Sequence, residues 1–130
     1  MSLVLVDTDI LIDFARHIQD ASDVLMRLER RSTLAVSAIT ELELLVGCRN
    51  KIEAQNTDHL LDRFQIIPLN EQVSNIATSL IRKYRLSHGL LLADALIAAT
   101  ALDVGCEFIT KNQRDYRFVD GLNLLPYPLE

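Results

Sequence analysis

Short apolar runs alternate with longer stretches of helical spacing along the whole chain, and this alternation restricts the fold more than any other property. Leu3 to Val6, Thr33 to Ser37, Gln65 to Leu69 and Glu107 to Thr110 are brief runs of the kind that read as buried strands. Between them lie segments with a 3.6-residue period. Ile10 to His17 places Ile10, Leu11, Phe14 and Ala15 on one side, with Thr8 or Asp9 as its expected N-cap. Further helices are expected over Ala21 to Arg30, over Ala38 to Val46 with Gly47 as its stop, and over the mostly polar Lys51 to Phe64. Asn70 caps a helix expected to run through Tyr84, and Arg85 to Gly89 reads as a loop. Leu91 to Val104 is apolar nearly all round, which predicts a buried helix. A helical turn around Asp115 and a last edge strand over Leu122 to Leu125 complete the chain. Strands that alternate with helices pair in parallel, in a sheet between helical layers.

With 130 residues the chain is the size of one domain, read as 1–130. An apolar fraction of 49% excludes disorder. No apolar run reaches the ~18–20 residues of a membrane span. The first residues lack a basic region and meet Asp7 early, so no secretory leader is expected. Cys48 and Cys106 are isolated and fit no metal spacing, which makes a reducing cytoplasm the expected location. The net charge of −5 argues against a simple electrostatic binder of nucleic acid.

Sites in open α/β sheets lie beyond the carboxyl ends of the strands. Asp7 follows the first run, Glu41 and Glu43 the second, and Asp94 opens the apolar helix. Thr110, Asn112 and Asp115 follow the fourth run. Carboxylates gathered at one edge repel each other and raise each other's pKa. A divalent cation relieves that repulsion, and an all-oxygen set selects Mg²⁺ or Mn²⁺ over Zn²⁺. Asp9 reads mainly as a cap, and Asp13 as helix surface or support. Glu41 and Glu43 diverge by about 200° on a helix. They border opposite sides of the stripe Ile39, Leu42, Leu45 and Val46, so spacing leaves the choice between them open. Asp94 has almost wholly apolar neighbours, and a buried, unpaired carboxylate is costly. His17, His59 and His88 are scattered among polar residues and read as surface. No GxSxG, GxGxxG or P-loop motif is present.

Four segments in order carry a resemblance. Val4 to Asp13, Val36 to Gly47, Ala93 to Ala101, and Phe108 to Tyr116 with Gly121-Leu122 resemble the successive motifs of PIN-domain ribonucleases. The compact length is similar to the VapC toxin branch of type II toxin–antitoxin systems. The resemblance implies a three-layer α/β/α sandwich with a mostly parallel central sheet, and Mg²⁺- or Mn²⁺-dependent endonucleolytic cleavage of RNA. It assigns metal-binding carboxylates to Asp7, Glu43 and Asp94, and so prefers Glu43 to Glu41. Asn112 stands where relatives often carry a fourth acid, and Asp115 lies three residues on, within reach of one helical turn. Thr8 and Thr110 match hydroxyl positions suited to orienting a carboxylate or water. Lys111, Arg114 and Arg117 are the expected phosphate contacts, whereas Arg27, Arg30 and Arg31 read as a solvated face. The resemblance further implies a homodimer and a small antitoxin that blocks the acidic site. Three of the negative charges then belong to the metal site, which removes the objection raised by the net charge.

Three other readings share parts of this pattern. A haloacid-dehalogenase-type phosphohydrolase would use Asp7 of Asp7-Thr8-Asp9 as nucleophile, but no later acidic pair closes a strand. A receiver-type switch needs an acid after a central strand, where this chain has Asn70. A catalytically silent, partner-binding PIN domain accommodates Asn112.

Overall fold

A computed structural model describes residues 2–129. The elements in order are β1 (Leu3–Val6), α1 (Thr8–Ala15), α2 (Gln19–Glu29), β2 (Thr33–Ser37), α3 (Ala38–Val46) and α4 (Lys51–Leu61). There follow β3 (Gln65–Ile67), α5 (Glu71–His88), α6 (Leu92–Val104), β4 (Glu107–Ile109), a 3₁₀ turn (Gln113–Asp115) and β5 (Asn123–Leu124). The strands form one sheet in the order β3-β2-β1-β4-β5, and each pairing is parallel. Val6 pairs with Ile109 and Ser37 with Ile67, so β1, β2 and β4 all end at the same edge.

Alternation along each strand divides the interior into two cores. Leu5, Ala35 and Phe108 point to one face and pack with Val73, Ala77, Leu80 and Tyr84 of α5 and with the apolar body of α6. Val4, Val6, Leu34, Val36 and Ile109 point to the other face, against Ile10 and Leu11 of α1 and Val24, Leu25 and Leu28 of α2. Each large apolar side chain among them gains about 1.5–3 kcal/mol from burial. A sheet covered on both faces is the expected three-layer arrangement, and its central strands are correspondingly apolar throughout.

Several boundaries differ from the sequence expectation. The cap of α1 is Asp7, not Thr8 or Asp9: helix follows strand with no loop, and the Asp7 carboxylate accepts from the Thr8 amide. The expected loop from Arg85 is helical, since α5 continues to His88. Gly89, at φ 70°, is the first residue able to end it in the left-handed region. Arg85 tightens that end by donating to the Gly89 and Leu90 carbonyls. α4 stops at Leu61, before Phe64. α6 is buried through its middle, but its N-terminal Leu92 is 72% exposed, so burial is not complete.

Candidate active site

Asp7 leaves the end of β1, at the centre of the sheet, and is only 6% exposed. Both its oxygens are held: Thr8 N–H donates to Oδ1 at 2.8 Å and the Thr110 hydroxyl donates to Oδ2 at 2.7 Å. Thr110 reaches it because β4 lies beside β1. Burial pushes the Asp7 carboxyl up to about 7, with help from the negative Asp9 and, more weakly, Asp94. The two donors only partly offset this.

Asp9, expected from the sequence to be a cap, lies beside Asp7 and binds the loop after β4. Its Oδ2 accepts the Asn112 N–H at 3.0 Å and lies 3.1 Å from the Thr110 hydroxyl. Its Oδ1 lies 3.3 Å from the Lys111 amide. Asp9 therefore pins the loop after β4 onto the start of α1. Asp13, one turn further along α1, is mostly buried and pairs with Lys111 Nζ at 2.9 Å. The DxD spacing after a strand is a signal for the first of these roles. The second depends on strand order and leaves no local trace.

Glu43 enters from α3. The Thr8 hydroxyl donates to its Oε1 at 2.7 Å, and Thr40 Oγ1 lies 2.9 Å from the same hydroxyl. Glu41 instead lines a separate concavity with Asp58 and Asp62. Asp94 sits in the first turn of α6, where the helix dipole favours negative charge. The buried Tyr116 hydroxyl donates to its Oδ1 at 3.1 Å. Partial burial raises the Asp94 pKa; Tyr116 lowers it, while Asp115, Glu43 and Asp9 raise it further. The Tyr116 phenol is itself held far above its usual range by burial and by Asp7 and Asp94, so it stays a donor. In the sequence Tyr116 ends the last resembling segment, but nothing there assigns it a role.

The structure thus gathers Asp7, Thr8, Asp9, Glu43, Asp94, Thr110 and the Asn112 amide at one edge. Asp115, at the end of the 3₁₀ turn, shares a cavity with Asp94 and Arg114. Arg114 and Arg117 are exposed and form no ion pair among the described residues, whereas Lys111 is committed to Asp13.

The donor set is wholly oxygen, and burial together with neighbouring acids raises the Asp7 and Asp94 carboxyls, a stress that a hard cation relieves. Among the described residues no group of three or more acidic, His or Cys side chains is arranged to hold a metal ion as it stands. Mg²⁺ does not require such a cage, since it binds through one or two carboxylates and keeps several waters.

Comparison with known proteins gives one family. The PIN domain model matches residues 4–121. Ribonuclease VapC10 of Mycobacterium tuberculosis is 37% identical over 100 residues, covering 76% of this chain and 74% of that protein. A toxin–antitoxin complex from Klebsiella pneumoniae contains a chain that is 32% identical, with 98% of both chains covered and a TM-score of 0.77. VapBC2 from Rickettsia felis, solved bound to a DNA fragment from their promoter, is 25% identical, with 94% of this chain and 96% of that chain covered and a TM-score of 0.79.

Proposed function

The chain belongs to the PIN-domain family, and on that basis we propose that it is a Mg²⁺- or Mn²⁺-dependent endoribonuclease, the toxin of a type II toxin–antitoxin pair acting in the cytoplasm. The observation that carries this reading is Asp7: a carboxyl buried at a strand end, bound on both oxygens, and pushed to about 7 by burial and neighbouring acids. A protein keeps such a group where a cation or a reaction needs it.

In this reading Asp7, Glu43 and Asp94 are the carboxylates that would hold the metal. A bound divalent cation supplies Lewis acidity, which lowers the pKa of water and offsets charge on the phosphodiester in the transition state. Thr110 and the Thr8 amide fix the Asp7 carboxylate, and Tyr116 fixes Asp94. Thr8 holds Glu43 toward the same point. Arg114 and Arg117, both exposed just after β4, are the phosphate contacts of this reading. The toxin reading rests on the names of the relatives and on their antitoxin-bound structures, and it brings with it a small antitoxin partner and a homodimer.

The test is RNA cleavage by purified protein with Mg²⁺, with Mn²⁺ and with a chelator. Cleavage is expected only with metal, and Asp94→Asn is expected to reduce it by at least 100-fold without unfolding the chain. Undiminished cleavage in chelator, or by Asp94→Asn, overturns the proposal. Phosphate trapped covalently on Asp7 would instead indicate a phosphohydrolase.

A further inference from the structure

A cavity of about 290 Å³ opens at the turn between α5 and α6, and its walls include Asp94 and Asp115. It is therefore continuous with the acidic edge. His88 and Phe118 also line it. Their rings stack at 4.2 Å between centroids and 16° between planes. Phe118 is backed in turn by Tyr84 at 5.1 Å. Tyr84 also meets the His88 ring edge-on at 5.8 Å, so the three rings form a cluster in which His88 is exposed. Leu91, 58% exposed, and Arg114 complete the lining used here.

We propose that this cavity takes one unpaired base of the RNA, adjacent to the phosphodiester presented at Asp94. The proposal rests on the endoribonuclease reading and adds a base-selecting subsite to it. The volume lies just below the roughly 300–1,000 Å³ of drug-sized ligand sites, which suits one heterocycle rather than a longer segment. Single-stranded RNA is read by stacking splayed bases on aromatic rings and by hydrogen bonds to their edges. The flat face at His88 and Phe118 provides the stack. The carboxylates repel phosphate, so the part of the nucleotide that enters here is the base. Carboxylates accept from amino edges, as acidic side chains do from the cytosine amino group. Asp115, exposed at the end of the 3₁₀ turn, is the acceptor left free by Tyr116, which binds Asp94. Arg114 at the same wall is placed for the flanking phosphate. A base with an exocyclic amino group is preferred over uracil.

The experiment uses the full chain and short single-stranded RNAs in two readouts. First, kcat/KM with Mg²⁺ is compared for RNAs that carry each base, or an abasic ribose, beside the cleaved bond. The wild type is expected to lose about ten-fold on the abasic RNA and on uracil. His88→Ala, a change at an exposed position, is expected to lose about ten-fold on base-bearing RNA through KM while cleaving the abasic RNA like the wild type. Second, 2-aminopurine is walked through the RNA and its fluorescence is read in binding titrations without added metal. Quenching at one position by the wild type, diminished in His88→Ala and in Phe118→Leu, supports the subsite even where cleavage fails. Equal rates on abasic RNA and on RNA bearing adenine, guanine or cytosine at that position, or no quenching at any position, overturns it and leaves the nuclease reading standing. A His88→Ala protein with unchanged RNA handling but weakened binding to a protein partner also overturns it.

Discussion

Asp7 and Asp94 stand at the same edge of the sheet, yet one is buried and bound on both oxygens while the other is partly exposed and held by a single phenol. Around Asp7 the chain is closely tied. Asp9 takes up the Asn112 amide, and Lys111 reaches back to Asp13. Around Asp94 it is open, with a cavity beside it and Glu43 and Asp115 as like-charged neighbours. The closed half fixes where negative charge sits, at a cost to stability. The open half leaves room for a substrate to reach that charge.

The largest effect should come from relieving the closed half. Asp7 holds its proton up to about pH 7 in the folded state, but only to its ordinary 3.8 when unfolded. Between those values the folded chain binds more protons, so the stability of metal-free protein falls as pH rises from about 4 to about 7 and levels off above. Asp94, also raised, acts in the same direction. Asp7→Asn keeps an acceptor for the Thr8 amide and removes the charge. It should stabilise metal-free protein at pH 8 by on the order of 2–4 kcal/mol and flatten the pH slope, even as cleavage disappears. Thermal melts in chelator at pH 5 and pH 8 decide this; a variant that melts below the wild type at pH 8 would show that Asp7 is not under electrostatic stress.

The same contrast explains what the sequence reveals and what it hides. Short runs such as Leu3 to Val6 fix the strands, because alternate residues must fill two cores. Asp7 and Asp94 are visible because each interrupts or borders an apolar segment. Glu43 is not separable from Glu41 by periodicity, since both border the same stripe; its contact with Thr8 comes from packing α3 against α1. Asp9 is misread because an N-cap is sufficient explanation for an aspartate at a helix start. Its real partners lie about 100 positions away and meet it only because β4 inserts beside β1. The contact of Tyr116 is hidden for a related reason: the 3₁₀ turn, not any spacing rule, directs its hydroxyl to Asp94.

A smaller effect is expected in the open half. Tyr116→Phe keeps the edge-to-face packing on Phe108, whose ring centroid lies 4.8 Å away, and removes only the donor to Asp94. Groups that orient a metal ligand typically contribute 10–100-fold to affinity. The variant should bind Mn²⁺ about ten-fold more weakly, seen as a smaller metal-induced rise in melting temperature. Stability without metal should change by less than about 1 kcal/mol, because water can reach the partly exposed Asp94. Unchanged Mn²⁺ affinity would mean that Asp94 needs no fixing, and the two halves would then differ only in burial.

The smallest effect tests whether Lys111 belongs to the fold or to the substrate. Its charge faces Asp13 rather than the cavity that Arg114 lines. The lysine is about half exposed, so the pair lies in the range of about 0–1 kcal/mol given by surface ion pairs, toward the upper end because Asp13 is mostly covered. Lys111→Met should therefore cost about 1 kcal/mol in denaturant melts. Combining it with Asp13→Asn should cost less than the sum of the two single changes, since each already breaks the same pair. The KM for RNA should stay within about two-fold, and the salt dependence of RNA binding should keep its slope. A phosphate-binding lysine would behave in the opposite way, with little change in stability and a salt slope shallower by roughly one ion. That outcome would move Lys111 out of the closed half and place it with Arg114 and Arg117 among the proposed phosphate contacts.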